Sequence, residues 1–364
     1  MNLEALGYRC FYKGSVKNLF ERPPESGDTS IVFEFSDAYS LFDWGRMPDA
    51  VVGKGEALAS LGAHLFRELE REGIRTHFRS GLIESGGEAP EGEPVRAMEC
   101  ERVRVERPTE RKSAPGTYQY PRPDWRAALT LIPFEVVFRF GAPRGSSVLK
   151  RANPWSQTLF PPSVAKPQEG ALWESPCIEF FTKLEPIDRQ VSKEDVQEIS
   201  GLSQANVEEL AMHTTRIARW LEKRASERGL TLWDGKLEWA FSEKTGFVLV
   251  DSIGPDELRL TPKGKSVPLS KEFLRILYRS TDWFQQLENA KQAHGSASSW
   301  KNGLSDPPSL SVGVAALASD LYRTLCWELS GGSLLLSGGA VVPMTEIVRR
   351  LEDALRDRSG LGVL

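Results

Sequence analysis

The sequence predicts an α+β protein of two lobes: an N-terminal lobe built on an antiparallel sheet, a mixed central lobe, and a helical section at the C-terminal end. Short alternating runs between turn residues crowd the front of the chain, apolar residues at three-to-four spacing dominate its back, and the middle mixes both. The 364 residues, at about 150 per domain, suit boundaries at 1–130, 131–262 and 263–364. A cleft between lobes is the default place for a ligand.

Each element has a local reason. Tyr8 to Tyr12 and Val16 to Glu21 flank the turn Lys13-Gly14-Ser15, which predicts a hairpin. The loop Pro23-Pro24-Glu25-Ser26-Gly27-Asp28 leads to a third strand over Ile31 to Phe35, where apolar and polar residues alternate. Leu58, Leu61, Leu65 and Leu69 line one face of a helix over Gly55 to Glu72. Glu84 to Pro94 and Arg107 to Pro123 are polar and punctuated by proline, and read as surface insertions. Leu129 to Phe140 is a nearly continuous apolar run and reads as a central strand, whereas Asn153 to Glu169, with its four prolines, reads as a loop. Cys177 to Lys183 is a further strand. Ser203 caps a long helix through Arg228, with Val207, Leu210, Ile217 and Leu221 on one face. Leu230 to Phe241 and Phe247 to Asp251 form a hairpin turned at Lys244-Thr245-Gly246. Helices over 270–291, 312–329 and 345–356 finish the chain, and no internal repeat is present.

Composition narrows the function. With 46 basic and 50 acidic residues the net charge is −4, so electrostatic capture of nucleic acid by the whole molecule is not expected. The mean hydropathy is −0.34 and no apolar run approaches the roughly 20 residues of a membrane span. The N-terminus has neither the basic nor the apolar stretch of a secretion signal, which points to the cytoplasm. Cys10, Cys100, Cys177 and Cys326 are too far apart for a CxxC pair and read as reduced thiols. Gly264-Lys265-Ser266 imitates the end of a phosphate loop, but Arg259 stands where the leading glycine belongs. His64, His77, His213 and His294 show no metal-binding spacing, and no GxSxG elbow occurs.

One constellation carries chemistry. On a strand, residues two apart share a face, so Asp234, Lys236 and Glu238 of Trp233-Asp234-Gly235-Lys236-Leu237-Glu238-Trp239 project together. Three charges on one face are expensive to bury without partners. A solvated face with internal ion pairs is the bland alternative, but Leu232, Trp233, Leu237 and Trp239 surround the row, and Asp251 ends the returning strand. Two carboxylates on adjacent strands can share a Mg²⁺, and a lysine between them can reach a phosphate.

Further segments lie in order along the chain. They are Tyr12-Lys13-Gly14-Ser15-Val16-Lys17, Ser36-Asp37-Ala38-Tyr39-Ser40-Leu41-Phe42-Asp43, Gly53-Lys54-Gly55, and Pro133 to Arg139 with Gly145-Ser146. Phe181-Thr182-Lys183 through Asp188 follows, then Asp234 to Glu238 with Asp251 and Pro255-Asp256-Glu257-Leu258-Arg259. Over roughly residues 8 to 260 this series resembles the SAICAR synthetase (phosphoribosylaminoimidazole-succinocarboxamide synthase) family of purine-pathway ligases. The resemblance implies a two-lobed fold with ATP in the cleft between lobes. It also implies an ATP- and Mg²⁺-dependent carbon–nitrogen ligase that joins CAIR, an aminoimidazole ribotide carboxylate, to L-aspartate through an acyl phosphate.

By position, the resemblance gives Glu238 and Asp251 the ATP-bound Mg²⁺, with Asp188 serving a second metal or the imidazole amine. Lys17, with Lys13 as a stand-in for a missing lysine, would approach the ATP phosphates. Lys236 and Asp234 would face the reacting carboxylate, and Ser40 would lie on the substrate side. Arg139, Ser146 and Arg259 would bind the ribotide 5′-phosphate, since guanidinium forks and a hydroxyl suit a dianion. A salt bridge from Arg139 to Glu135 on the same strand is the structural alternative for that arginine.

Several family positions differ: Ser15 replaces a lysine, Ala38 an arginine, Ile187 a histidine, Ser252 a glutamate and Leu258 a serine, and an extra Arg144 precedes Gly145-Ser146. These departures leave room for an ordinary purine enzyme with compensation from Arg144 and Arg189. They equally leave room for a paralogous amide ligase that joins another heteroaromatic or nucleoside carboxylate and amine in natural-product biosynthesis. A small-molecule kinase and a non-catalytic nucleotide-binding protein are the readings from other classes. The expected partners are small molecules, with no nucleic acid and no membrane. The apolar triplet in the tail after Gly331 is a candidate homo-oligomer interface.

Overall fold

The computed structural model describes residues 1–22, 29–114, 116–294 and 298–357; the loop expected over 23–28 lies outside them. The front of the chain forms a five-stranded antiparallel sheet from β1 (Arg9–Lys13), β2 (Lys17–Glu21), β3 (Ser30–Phe35), β6 (Phe78–Leu82) and β7 (Ala97–Glu101), in the order β1-β2-β3-β7-β6. A separate hairpin pairs β4 (Ala38–Ser40) with β5 (Arg46–Ala50). Both faces of β3 are covered. Ile31, Phe33 and Phe35 join the main core, and Val32 packs with Leu3, Tyr8, Phe20, Leu82 and Ala97 on the other side.

Helix α1 (Lys54–Arg71) lies across this sheet. Its start is fixed by the carboxylate of Asp37, which accepts from the backbone N–H of Gly53 (3.1 Å) and Gly55 (2.9 Å). A side chain at position 55 would begin 2.3 Å from the carbonyl oxygen of Phe35, so glycine is required where α1 crosses β3. The segment 84–94 is not a free insertion: it closes the hairpin of β6 and β7 and buries Ala89, whose N–H donates to the Gly81 carbonyl at 2.8 Å. The second expected insertion carries a small hairpin of β8 (Thr109–Glu110) and β9 (Tyr118–Gln119).

The central sheet has seven strands: β10 (Thr130–Gly141), β11 (Thr158–Leu159), β12 (Leu172–Thr182), β13 (Gln190–Val191), β14 (Leu230–Ser242), β15 (Gly246–Val250) and β16 (Leu258–Pro262). The order is β11-β12-β10-β14-β15, with β13 on β12 and β16 on β14. The apolar run around residue 135 is therefore central, as its composition predicts. Helix α3 (Gln204–Glu227) packs on this sheet through Val207, Leu210, Ile217 and Leu221, and starts at the capping Ser203. The preceding α2 (Lys193–Ser200) is not expected from apolar spacing, because Val196 is its one buried large apolar side chain. A reciprocal Ser192–Asp195 capping box starts it.

The back of the chain is helical: α4 (Lys271–Arg279), α5 (Asp282–His294), α6 (Val312–Leu329) and α7 (Met344–Asp357). The single helix expected over 270–291 is two helices. The hydroxyls of Ser280 and Thr281 turn back onto the carbonyls of Leu277 (2.6 Å) and Tyr278 (2.7 Å) at the break. Helix α6 packs along α1, and α7 along α6. In the tail after Gly331, Leu334 and Leu336 are buried within their own chain, leaving Leu335 as the exposed member of the triplet. Among the described residues no helix is long and apolar enough to cross a membrane.

The two large sheets are sewn together along one seam. Arg75 O accepts from Leu249 N (2.9 Å), Leu249 O accepts from His77 N (3.0 Å), and His77 O accepts from Glu101 N (2.6 Å). Residues 75–77 thus pair with β15 on one side and β7 on the other.

Candidate active site

The register of the central sheet decides which charges meet. Glu135 on β10 lies opposite Glu238 on β14, and Arg139 lies opposite Asp234. Between them Gly235 is obligatory, because a β-carbon there would sit 2.4 Å from the Phe138 ring. Asp251 follows β15 with a positive φ of 69°, a conformation unfavourable for a non-glycine residue and common where function demands it. Its carbonyl oxygen lies 3.2 Å from His77 Nε2, which must be the protonated nitrogen because a carbonyl can only accept.

Two charge clusters result. In the first, Lys17 pairs with Asp251, and Lys183 pairs with Glu238 and, at 3.4 Å, with Glu135; Lys236 Nζ is 2.6 Å from Glu135 Oε1. In the second, Arg139 pairs with Glu179 and, at 2.9 Å, with Asp234. Asp234 also meets Arg259 Nε at 3.5 Å, and Glu179 is shared with Arg151 and with Gln190 (3.0 Å). The alternative pairing of Arg139 with Glu135 is not the one formed, since Glu135 is occupied by lysines. Glu238 is 6% exposed and Asp234 8%, so the row is not a solvated strand face.

Electrostatics distinguish the two carboxylates nearest each other. Burial, then the adjacent Asp251, raise the pKa of Glu238 to about 7 against the pull of Lys183. Burial also works to raise Asp251, but Lys17 and Lys183 outweigh it and hold that carboxyl well below its ordinary value. A buried carboxylate reluctant to ionise beside a half-buried one, each held by a lysine, forms a donor set that suits a hard divalent cation carried by phosphates. Among the described residues no group of three His, Cys, Asp or Glu side chains could hold a metal, so Asp188 does not join Glu238 and Asp251 in a cage.

The structure therefore brings Lys17, Lys236, Glu238 and Asp251 together, with Asp234, Arg139 and Arg259 beside them. Asp188 is at the surface on the turn between β12 and β13; crowding around its carboxyl, and the charge of Glu135, raise its pKa to about 6. Ser146 is fully buried, and among the described residues its hydroxyl has no hydrogen-bond partner. Lys13 is exposed at the end of β1, and Ser40 is half-buried on β4 opposite Arg46; among the described residues neither bonds to the charge clusters. A cleft of about 1350 Å³ opens on the Arg259 side, lined by Arg144, Gly145, Trp233, Arg259, Lys265 and Arg279, and does not reach Lys17, Glu238 or Asp251.

The sequence alone gives Lys183 no role, offers Glu135 only as a salt-bridge partner for Arg139, and does not single out Glu179 or Arg151. A charge interrupting an apolar central strand, as Glu135 and Glu179 do, was the signal available.

Residues 10–291 match the family model described as SAICAR synthetase. A provisionally named phosphoribosylaminoimidazole-succinocarboxamide synthase of Archaeoglobus fulgidus is 33% identical over 353 residues, covering 94% of this chain and 99% of the relative. The phosphoribosylaminoimidazole-succinocarboxamide synthase of Thermoplasma acidophilum is 30% identical over 330 residues, covering 88% and 97%. Among solved structures, the Saccharomyces cerevisiae SAICAR synthase complexed with SAICAR superposes with a TM-score of 0.60 at 18% identity, over 91% of this chain and 97% of that one. A type-2 SAICAR synthetase in complex with ADP gives a TM-score of 0.53 at 21% identity, over 78% and 97%. The two structural matches establish the α+β fold, with its antiparallel sheets and C-terminal helices.

Proposed function

The chain belongs to the SAICAR synthetase family of ATP-dependent ligases, and on that premise we propose that it is a cytoplasmic, Mg²⁺-dependent enzyme that joins CAIR to L-aspartate. The observation that carries this reading is the pair of carboxylates, buried Glu238 and half-buried Asp251, held by Lys183 just past β12 and by Lys17 on β2. The reaction needs such a place because a carboxylate is a poor electrophile. One carboxylate oxygen of CAIR attacks the γ-phosphorus of ATP and ADP leaves. The aspartate amine then attacks the carbonyl carbon of the acyl phosphate, the C–O bond to phosphate breaks, and the nitrogen gives up a proton as the amide forms.

Glu238 and Asp251 would hold the Mg²⁺, which when bound neutralises the triphosphate and orients it. Lys17, paired with Asp251, would pass to a phosphate oxygen, and Lys236, paired with Glu135, would hold the reacting carboxylate. Asp234, fixed by Arg139 and Arg259, sets the spacing between these groups. Arg259, Arg139 and the unpartnered hydroxyl of Ser146 would take the ribotide phosphate.

Purified protein with ATP, Mg²⁺, CAIR and aspartate should form SAICAR and ADP in equal amounts. ADP without amide would overturn the ligase in favour of a kinase. The cleft beside Arg259, with the added Arg144, favours one second reading, an amide ligase for a different anionic carboxylate. Turnover with another heteroaromatic carboxylate but not with CAIR would select it.

A further inference from the structure

The loop that joins Asp251 to Arg259 carries a candidate metal ligand at one end and a candidate phosphate ligand at the other. Its middle is held by residues from two distant helices. Asp256 receives Lys54 Nζ at 2.9 Å through one oxygen and the hydroxyl of Tyr322 at 2.5 Å through the other. Lys54 opens α1 and is completely buried; its ammonium lies 5.3 Å from the centre of the Tyr322 ring. Tyr322 is 1% exposed on α6, beyond the residues 10–291 that match the family. Burial works to raise the Asp256 pKa, but Lys54 and Lys271, with the Tyr322 hydroxyl, outweigh it. Next to Asp256, the carbonyl of Glu257 accepts from the backbone N–H of Lys236 at 3.1 Å, and its carboxylate accepts from Ser252 at 3.2 Å. The same hydroxyl lies 3.3 Å from Asp251 Oδ2, so its single proton is shared between the two carboxylates. The clamp on Asp256 is therefore one residue from a backbone bond to Lys236, and two hydrogen bonds further from Asp251.

We propose that Tyr322 is a positioning residue: through Asp256 it fixes the loop that sets Asp251 and Arg259 against Lys236, so that the C-terminal helices tune nucleotide and substrate binding. The proposal rests on the ligase reading for its kinetic readout but not for its binding readout. Tyr322→Phe removes one hydroxyl and keeps the ring. It should weaken MgADP binding, measured by titration calorimetry, and lower kcat/KM for the carboxylate substrate by about tenfold, the cost of one hydrogen bond to a carboxylate. Thr324→Val, two residues further along α6, removes the bond from Thr324 to the Val342 carbonyl (2.9 Å) without touching the loop, and serves as the structural control. It should lower the melting temperature and leave MgADP affinity and kcat/KM unchanged. Equal MgADP affinity in wild type and Tyr322→Phe overturns the proposal, as does a loss of affinity that Thr324→Val reproduces. If wild type turned over no CAIR, the ligase reading would fail, while the difference in MgADP affinity would still judge the clamp.

Discussion

The two sheets of this molecule share antiparallel pairing and treat charge in opposite ways. On the N-terminal sheet, apart from Lys17 with its partner Asp251, charge sits at the periphery: Glu21 is bridged by Arg9 and Arg102, and Arg9 is 66% exposed. On the central sheet Glu135, Arg139, Glu179, Asp234 and Glu238 are all turned inward, and Glu179 is completely buried. Exposed pairs contribute little, whereas buried charges cost several kcal/mol each before their partners repay it. A sheet selected for stability alone would put aliphatic residues on β10, β12 and β14. The buried charge of the central sheet suits the charged ligands proposed for it.

The contrast can be broken in four places. Glu179→Ala strands Arg139 and Arg151 without their shared carboxylate, and should cost about 3–5 kcal/mol in denaturant unfolding. A loss under 1 kcal/mol would mean that the central charges are no more structural than those at the edge. Glu238→Gln should leave the melting temperature unchanged or higher, since it relieves a carboxyl beside Asp251, while kcat falls by about a hundredfold or more. Full activity in that variant would remove Glu238 from the metal site.

The third test is of pH. Burial lowers the pKa of His77 from 6.5 to about 4, so the native state prefers the neutral ring. Its contribution to stability is complete above pH 6.5 and is lost as pH falls from 6.5 towards 4, in all about 3 kcal/mol. Melting temperatures across that window should decline less steeply in His77→Gln than in wild type; parallel declines would show that other groups control the acid limb. The smallest effect is expected at the edge of the N-terminal sheet, where Arg9→Ala should change stability by less than about 1 kcal/mol.

What the sequence reveals follows the range of the forces involved. Local signals were legible: the capping Ser203, the face of α1, the hairpin into Asp251, and the period-two row from Asp234 to Glu238. Partnerships set by tertiary closure were not. Lys17 and Asp251 are 234 residues apart, and Tyr322 and Asp256 are 66 apart; no periodicity encodes either. Helix α2 escaped because its one turn of apolar surface is too small for a periodic signal. The family resemblance pointed to Lys17, where spacing could not, but it offered nothing for Tyr322, which lies past the matched region.

The seam at residues 75–77 has a mechanical consequence. Because both sheets bond to the same short segment of main chain, they share a rigid spine rather than a hinge, and swinging them apart there would tear backbone hydrogen bonds. A ligand that entered between the two sheets would therefore come from the side away from the spine, where Lys17 of one sheet meets Asp251 of the other through side chains alone.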